Sequence, residues 1–297
     1  MSTALAGNHG AENQIGKSKT AKLKKKILFF SKSSGFEHSA IKRTKGEPAF
    51  AENVLRQLAA TNDFEFEFAY AKDGTIFTEE KIKQFDGFFF YTTGDLTESG
   101  TDGNPPMTPE GKKAFLSAIT KGKGFIGVHS SSDTFHSPGG KDHGPKRYQL
   151  DGDNADPYVK MLGTEFIRHG SQQAGHLVCV DKKFPGCQNF PEDFAPTEEW
   201  YSLKDFPADS HVILLQDTSK MHDSIYKRPN FPETWARREG KGRVFYSSMG
   251  HREDIWTNPV FQSVLVGGIN WAVRNVDADV TPNITKIAPE ANVMPPM

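Results

Sequence analysis

The chain has 297 residues, of which 36% are hydrophobic and 11% aromatic, with 23 Phe, so there is material for a packed core and too little polarity for disorder throughout. Lys and Arg total 36 against 37 Asp and Glu, a formal net charge of -1, which removes the strong positive field of a general nucleic-acid binder. Cys179 and Cys187 are the only cysteines, so neither a disulfide scaffold nor a four-thiolate zinc site can be built, and no apolar run approaches the roughly 20 residues of a membrane span.

In chain order, residues 1–24 read as a disordered Lys-rich tail, a solubilising flank with six lysines between Lys17 and Lys26. No apolar h-region follows the start, so the expectation is a soluble, cytoplasmic protein without nucleic-acid or membrane partners. Ile27–Phe30 is a short, wholly apolar run that reads as a central strand, and Glu47–Ala60 has helical spacing with Phe50, Val54 and Leu58 on one face. Phe64–Tyr70 alternates as an outer strand would, and Phe85–Tyr91 is another buried run ending in Thr92-Thr-Gly-Asp95. Thr108 is a suitable N-cap for a helix over Pro109–Ile119, and Gly124–Val128 is the fourth strand. Beyond residue 175 the strands look more mixed, at His176–Asp181, Val212–Gln216 and Arg243–Ser248, before a closing helix near Pro259–Val273. Residues 25–276 form one domain in this reading, and residues 277–297, with four prolines, form a second tail or a strap over the surface.

Strand–helix alternation of this kind argues an α/β fold with a mostly parallel central sheet, helices on both faces, and ligands at the carboxyl ends of the strands. Four candidate strands end in suitable residues: Ser33-Ser-Gly-Phe-Glu-His38, Thr93-Gly-Asp95, His129-Ser-Ser-Ser-Asp133 and Ser247-Ser-Met-Gly-His251. Imidazole titrates near neutral pH and is the commonest nitrogen ligand of transition metals, so converging histidines serve acid/base chemistry or metal binding. The small residues behind His129, Ser130 among them, leave room for an anion or a sugar hydroxyl. A serine hydrolase using Ser130 or Ser131 is disfavoured, because the Gly-x-Ser-x-Gly pattern is not met.

Five motifs occur in order: Phe90-Tyr-Thr-Thr-Gly-Asp-Leu96, Gly124-Phe-Ile-Gly-Val-His-Ser-Ser-Ser-Asp-Thr134, Gly163-Thr-Glu-Phe-Ile-Arg-His-Gly170, Glu198-Glu-Trp-Tyr201 and Gly240-Lys-Gly-Arg-Val-Phe-Tyr-Ser-Ser-Met-Gly-His251. Together they resemble the ThuA-like (trehalose utilisation) family over about residues 25 to 275. The resemblance implies a flavodoxin-like three-layer sandwich like that of the class I glutamine amidotransferases. The catalytic members of that superfamily carry a cysteine at the elbow, where this chain has His129. Thiol-based amide chemistry is therefore not expected, and Cys179 and Cys187 read as structural.

The family is associated with trehalose and related disaccharides, in pathways whose intermediates include 3-keto-glycosides, so a small-molecule carbohydrate is the expected partner. Matching positions are His38, Asp95, His129, Asp133, His169, Glu199, Tyr201 and His251, with Asp133 able to orient an imidazole or bind a hydroxyl. Two mechanisms fit. In one, His129, His169 and His251, or two of them with Glu199, hold a divalent metal such as zinc. In the other, His and carboxylate side chains work as an acid/base pair, with Tyr201 or Arg168 polarising the oxygen that gains charge. Trp200, Tyr201, Trp235 and Trp256 could face a sugar ring or simply fill the core. The Gly/Pro-rich loop holding His136 and His143 could cover the site.

Overall fold

The apolar runs of the sequence become the middle of one large sheet. The computed structural model describes residues 1, 24–61, 66–140 and 144–297, so residues 2–23 of the Lys-rich tail, Phe64 and Glu65 of the expected outer strand, and His143 lie outside the described residues. The first half of the chain forms β1 (Lys25–Phe30), α1 (Phe50–Thr61), β2 (Phe66–Ala71), α2 (Glu79–Ile82), β3 (Gly87–Phe90), α3 (Pro109–Thr120) and β4 (Gly124–Val128). Next come α4 (Pro157–Leu162), β5 (Glu165–His169), β6 (Gln173–Ala174), β7 (His176–Cys179), β8 (Thr197–Glu198) and β9 (Tyr201–Lys204). The chain closes through β10 (His211–Asp217), β11 (Phe231–Glu239), β12 (Gly242–Ser247), α5 (Glu253–Trp256), α6 (Pro259–Ala272) and α7 (Ile284–Ile287).

Eight strands pair in the order β2-β1-β3-β4-β12-β11-β10-β7. The first five run parallel, whereas β11, β10 and β7 each pair antiparallel with the preceding neighbour in that order. The expected mostly parallel three-layer sandwich is thus found, with the mixed strands falling after residue 175 as read. Strands β3 and β4 are buried along their whole length because both sheet faces are covered. On one face Phe29, Phe89, Ile126 and Phe245 pack with Leu55 of α1 and Leu265 and Trp271 of α6. On the other, Phe30, Phe90, Phe125 and Tyr246 pack with Phe115 of α3 and Tyr158 of α4.

The helix starts follow local chemistry. Thr108 caps α3 by accepting the Gly111 N–H at 3.0 Å, and Asn258 caps α6 through Val260 N–H at 2.9 Å. The expected face of α1 is found in part: Val54 is buried and Leu58 packs against the core, joined by Ala51 and Leu55, while Phe50, in the first turn, stays exposed. Residues 277–297 run as a strap. Asn283 pairs with both backbone groups of Val212 on β10, Asn292 does the same with Phe206, and Ile284, Ala288 and Ala291 are buried. No helix among the described residues is long and apolar enough to cross a membrane.

Candidate functional site

Strands β1, β3, β4 and β12 lie side by side, so the segments after them meet at one sheet edge. The turns are locked together there: Ser33 bridges Thr93, Gly94 bridges Thr134, and a Cβ on Gly94 would lie 2.7 Å from the Gly35 nitrogen, so only glycine fits. The segment after β1 brings His38, the residue after β4 is His129, and the turn after β12 brings His251. Outside the main sheet, β5 pairs antiparallel with β9 and β6 with β8, placing His169 opposite Tyr201 and delivering Glu199 from the β8–β9 junction.

One ring nitrogen each of His38, His129 and His251 and one carboxylate oxygen of Glu199 lie within 4.8 Å of one another. His251 Nδ1 is 3.1 Å from Glu199 Oε2 and 3.2 Å from His129 Nε2, and His129 Nε2 is 3.7 Å from the same oxygen. Metal–nitrogen bonds of about 2.0–2.1 Å in a tetrahedron put donor atoms about 3.4 Å apart, so these separations suit a four-coordinate cation. The donor set, neutral imidazoles with a carboxylate, suits zinc and related divalent ions. His38 is buried with its ring centre 4.9 Å from that of His129 and 5.1 Å from that of His251.

The supports behind these side chains are dense. His129 follows its strand with φ 43, a left-handed conformation that a non-glycine residue holds only when the surroundings fix it. They do: Tyr246 donates its hydroxyl to the His129 carbonyl at 2.7 Å, and His129 Nδ1 donates to the Ser248 carbonyl at 3.0 Å. That second bond keeps the proton on Nδ1 and leaves Nε2 as a lone pair facing the cluster. Glu233, fully buried on β11, accepts from the Ser247 and Ser248 hydroxyls and from Met249 N–H. Glu198 accepts from Gly250 N–H at 2.9 Å and His251 N–H at 3.1 Å. Two buried carboxylates without cationic partners among the described residues therefore grip the turn that carries His251.

The electrostatics follow from burial and neighbours. Burial pushes His38 well below the ordinary imidazole value, and the neighbouring His129 and His251 push the same way. Burial would raise Glu199, but hydrogen bonds and charge from His129 and His251 outweigh it and hold this carboxyl well below its usual range. Burial raises Glu198 and Glu233, only partly opposed by their donors.

The other sequence-singled residues sit around this centre. His169, which the sequence reading grouped with the possible metal ligands, stands one rank out: its Nδ1 donates to the Gly170 carbonyl at 2.9 Å and lies 3.5 Å from Glu199 Oε1. With Arg168, Gln172, Glu199 and Asp223 it lines a cleft of about 570 Å³. Tyr201 is buried with its ring centre 4.2 Å from that of His129, and burial raises its hydroxyl well above its ordinary value. Asp133 orients an imidazole, but that of His136 at 2.7 Å, not a ring of the cluster. Asp95 folds back on its own turn, accepting from Thr97 N–H and hydroxyl, and Ser130 is buried with its hydroxyl unpartnered among the described residues. Trp200, Trp235 and Trp256 are all buried at 1% exposure or less, and Trp200 donates its indole N–H to Gln173 O, so these rings pack the interior rather than face a sugar. His136 is also turned inward, held by Glu165 as well as Asp133.

Sequence reading did not single out Glu198 or Glu233. A signal existed for Glu233: an acid between Phe231 and Trp235 in an otherwise apolar strand has to be buried and satisfied. Glu198 was visible only as the neighbour of Glu199.

The family model described as ThuA, trehalose utilisation, matches residues 26–272. Among solved structures, a Bacteroides uniformis protein described as ThuA-like is 19% identical, with a TM-score of 0.62 over 90% of this chain and 98% of its own. A Parabacteroides merdae protein with the same description gives 16%, 0.57, 87% and 93%. A protein of Salmonella typhimurium described as cytoplasmic gives 11%, 0.52, 83% and 98%. At such identities the likeness concerns the fold alone. No curated protein sequence matches the chain.

Proposed function

Because the chain belongs to the ThuA family of trehalose utilisation, we propose that it is a cytoplasmic enzyme acting on a disaccharide of the trehalose kind, or on its 3-keto form. In this reading His38, His129, His251 and Glu199 hold a divalent metal such as zinc. The observation that carries it is the donor cluster itself, three imidazoles and a carboxylate with one donor atom each within 4.8 Å of one another. A cleft of about 570 Å³ whose wall shares Glu199 with the cluster has room for a disaccharide. The cytoplasmic placing is supported by the description of the Salmonella structure.

When bound, such a metal polarises a sugar carbonyl or makes water nucleophilic near neutral pH. The chain's own groups do the rest. Ser248 O holds the His129 proton on Nδ1, and the Glu198 grip fixes where His251 points. The Gly170 carbonyl likewise keeps the His169 proton on Nδ1, so His169 Nε2 is a basic lone pair on a half-exposed ring in the cleft wall, suited to take and return a substrate proton. Arg168 in the same wall supplies positive charge where an oxygen gains negative charge.

A second reading rests on the 3.1 Å contact of His251 with Glu199, which is also the distance of a metal-free acid/base pair. Elemental analysis of the purified protein, combined with turnover of trehalose, sucrose and their 3-keto forms, separates the two. One equivalent of metal, lost in His129→Ala and His38→Ala, is the expected result. Metal-free protein with full turnover leaves the acid/base pair, and binding without turnover makes the chain a sugar-binding module.

A further inference from the structure

With a formal net charge of -1 over the whole chain, any strong positive field has to be local, and one lies at the sheet edge opposite the histidines. Strands β3, β4 and β12 begin side by side there, and a cavity of about 480 Å³ includes in its walls the residues just before β4 and β12. Four places in the chain deliver its charge: Lys83 after α2, Lys121 and Lys123 after α3, Lys241 in the β11–β12 turn and Arg274 after α6. Among the described residues Glu79 is the one acid in the walls.

These cations are not spent on local structure. Basic side chains after a helix often serve its last carbonyls, but those of α3 are already taken. Ser117, Ala118, Ile119 and Thr120 accept from the backbone N–H groups of Lys121, Lys123, Gly122 and Lys241 at 2.8 to 3.1 Å. The approach is close: a Cβ on Gly240 would lie 2.7 Å from Thr120 O, and one on Gly242 2.3 Å from Ile119 O, so the β11–β12 turn is pressed onto the end of α3. Arg274 is drawn in by donating to Lys241 O. Lys123 donates to the Lys83 and Phe85 carbonyls, which orients it without neutralising it. Lys83, Lys121, Lys241 and Arg274 form no ion pair among the described residues. The floor is small and largely apolar, with Ala114, Ser117 and Ala118 on one face of α3 beside buried Ile82 of α2.

We propose that this cavity binds an organic diphosphate of nucleotide size, its phosphates held by Lys121, Lys241 and Arg274 and its organic part seated on the α3 floor. Phosphate oxygens accept charge-assisted hydrogen bonds from ammonium and guanidinium groups, and a hollow of about 480 Å³ lies in the range of small-molecule sites. The cations line the walls of a concavity rather than a flat or convex stripe, which favours a small ligand over a membrane surface or a duplex. The site is separate from the proposed sugar chemistry, because His129 and His251 follow the other ends of β4 and β12.

The test is calorimetric titration of the full chain with ADP, without magnesium, in about 0.15 M salt. Expected is one bound equivalent, weakened by about tenfold or more in the Lys121→Glu/Lys241→Glu double variant. Both side chains are exposed, so the melting temperature without ligand should not change. The equally charged control Lys42→Glu/Lys220→Glu, away from the cavity, should bind as the parent does, and so should His129→Ala. Inorganic pyrophosphate should compete, but more weakly than ADP binds. No binding of ADP, pyrophosphate binding as tight as that of ADP, an equal loss in the control, or a loss in His129→Ala would overturn the assignment.

Discussion

His129 shows how the site is made one residue at a time: a left-handed backbone aims its ring, one carbonyl fixes its tautomer, and its second nitrogen is left for chemistry. The same logic gives Glu198 a role through the His251 backbone. Glu198→Gln keeps an acceptor for the amides but removes a buried charge, so metal affinity, measured by competition with a chelator, should fall about tenfold or more while the fold is retained. His169 sits in the cleft wall outside the donor cluster. His169→Asn should lower kcat by about 100-fold with metal content unchanged; equal losses of metal and turnover would place it among the ligands instead. His129, His251 and Glu199 were legible in the sequence because they follow strands in fixed motifs. The rank of His169 was not, because one residue of offset on a two-stranded ribbon decides whether a ring enters the cluster, and ribbon register is set by pairing. Trp200 misled for a related reason: a large ring near a motif is as readily core as platform.

At the level of elements, the link between β4 and β5 carries the clearest pH response. The His136 ring lies between Asp133 at 2.7 Å and Glu165 at 2.8 Å, with Arg147 at 3.3 Å on the side of Nε2 and Lys204 4.0 Å from Glu165. Burial lowers His136 and Arg147 opposes its charge, but the two carboxylates prevail and raise it above 6.5. Burial would raise Glu165, yet His136 and Ser137 hold it below 4.5. A raised histidine contributes stability that is complete below 6.5 and disappears as pH rises through its folded value; a lowered carboxyl contributes above 4.5 and is lost as pH falls through its folded value. The melting-temperature deficit of His136→Gln should therefore be largest near about pH 6, reflecting about 3 kcal/mol, and should shrink by about pH 9. An unchanged deficit at both would dissociate the pair from stability. The strands and helices themselves were readable because buried parallel strands are wholly apolar and helices announce their caps. The short ribbons β5–β9 and β6–β8 were not, since two- to five-residue pairings leave no period to detect.

Across the whole molecule, the sheet order brings four strand ends together, and the C-terminal strap completes the outer layer. The strap could not be told from a tail in the sequence, because its anchors are two asparagines pairing with backbone groups far away along the chain. Asn292→Ala removes both bonds to Phe206, which should cost about 1–2 kcal/mol and lower the melting temperature by roughly 4 °C, measured by calorimetry; no shift would mean that the segment merely rests on the surface. The path of this strap also bears on handling. Met297 reaches the cleft wall beside Arg168 and His169, so bulk attached to that residue, such as a purification tag, would stand across the mouth of the cleft.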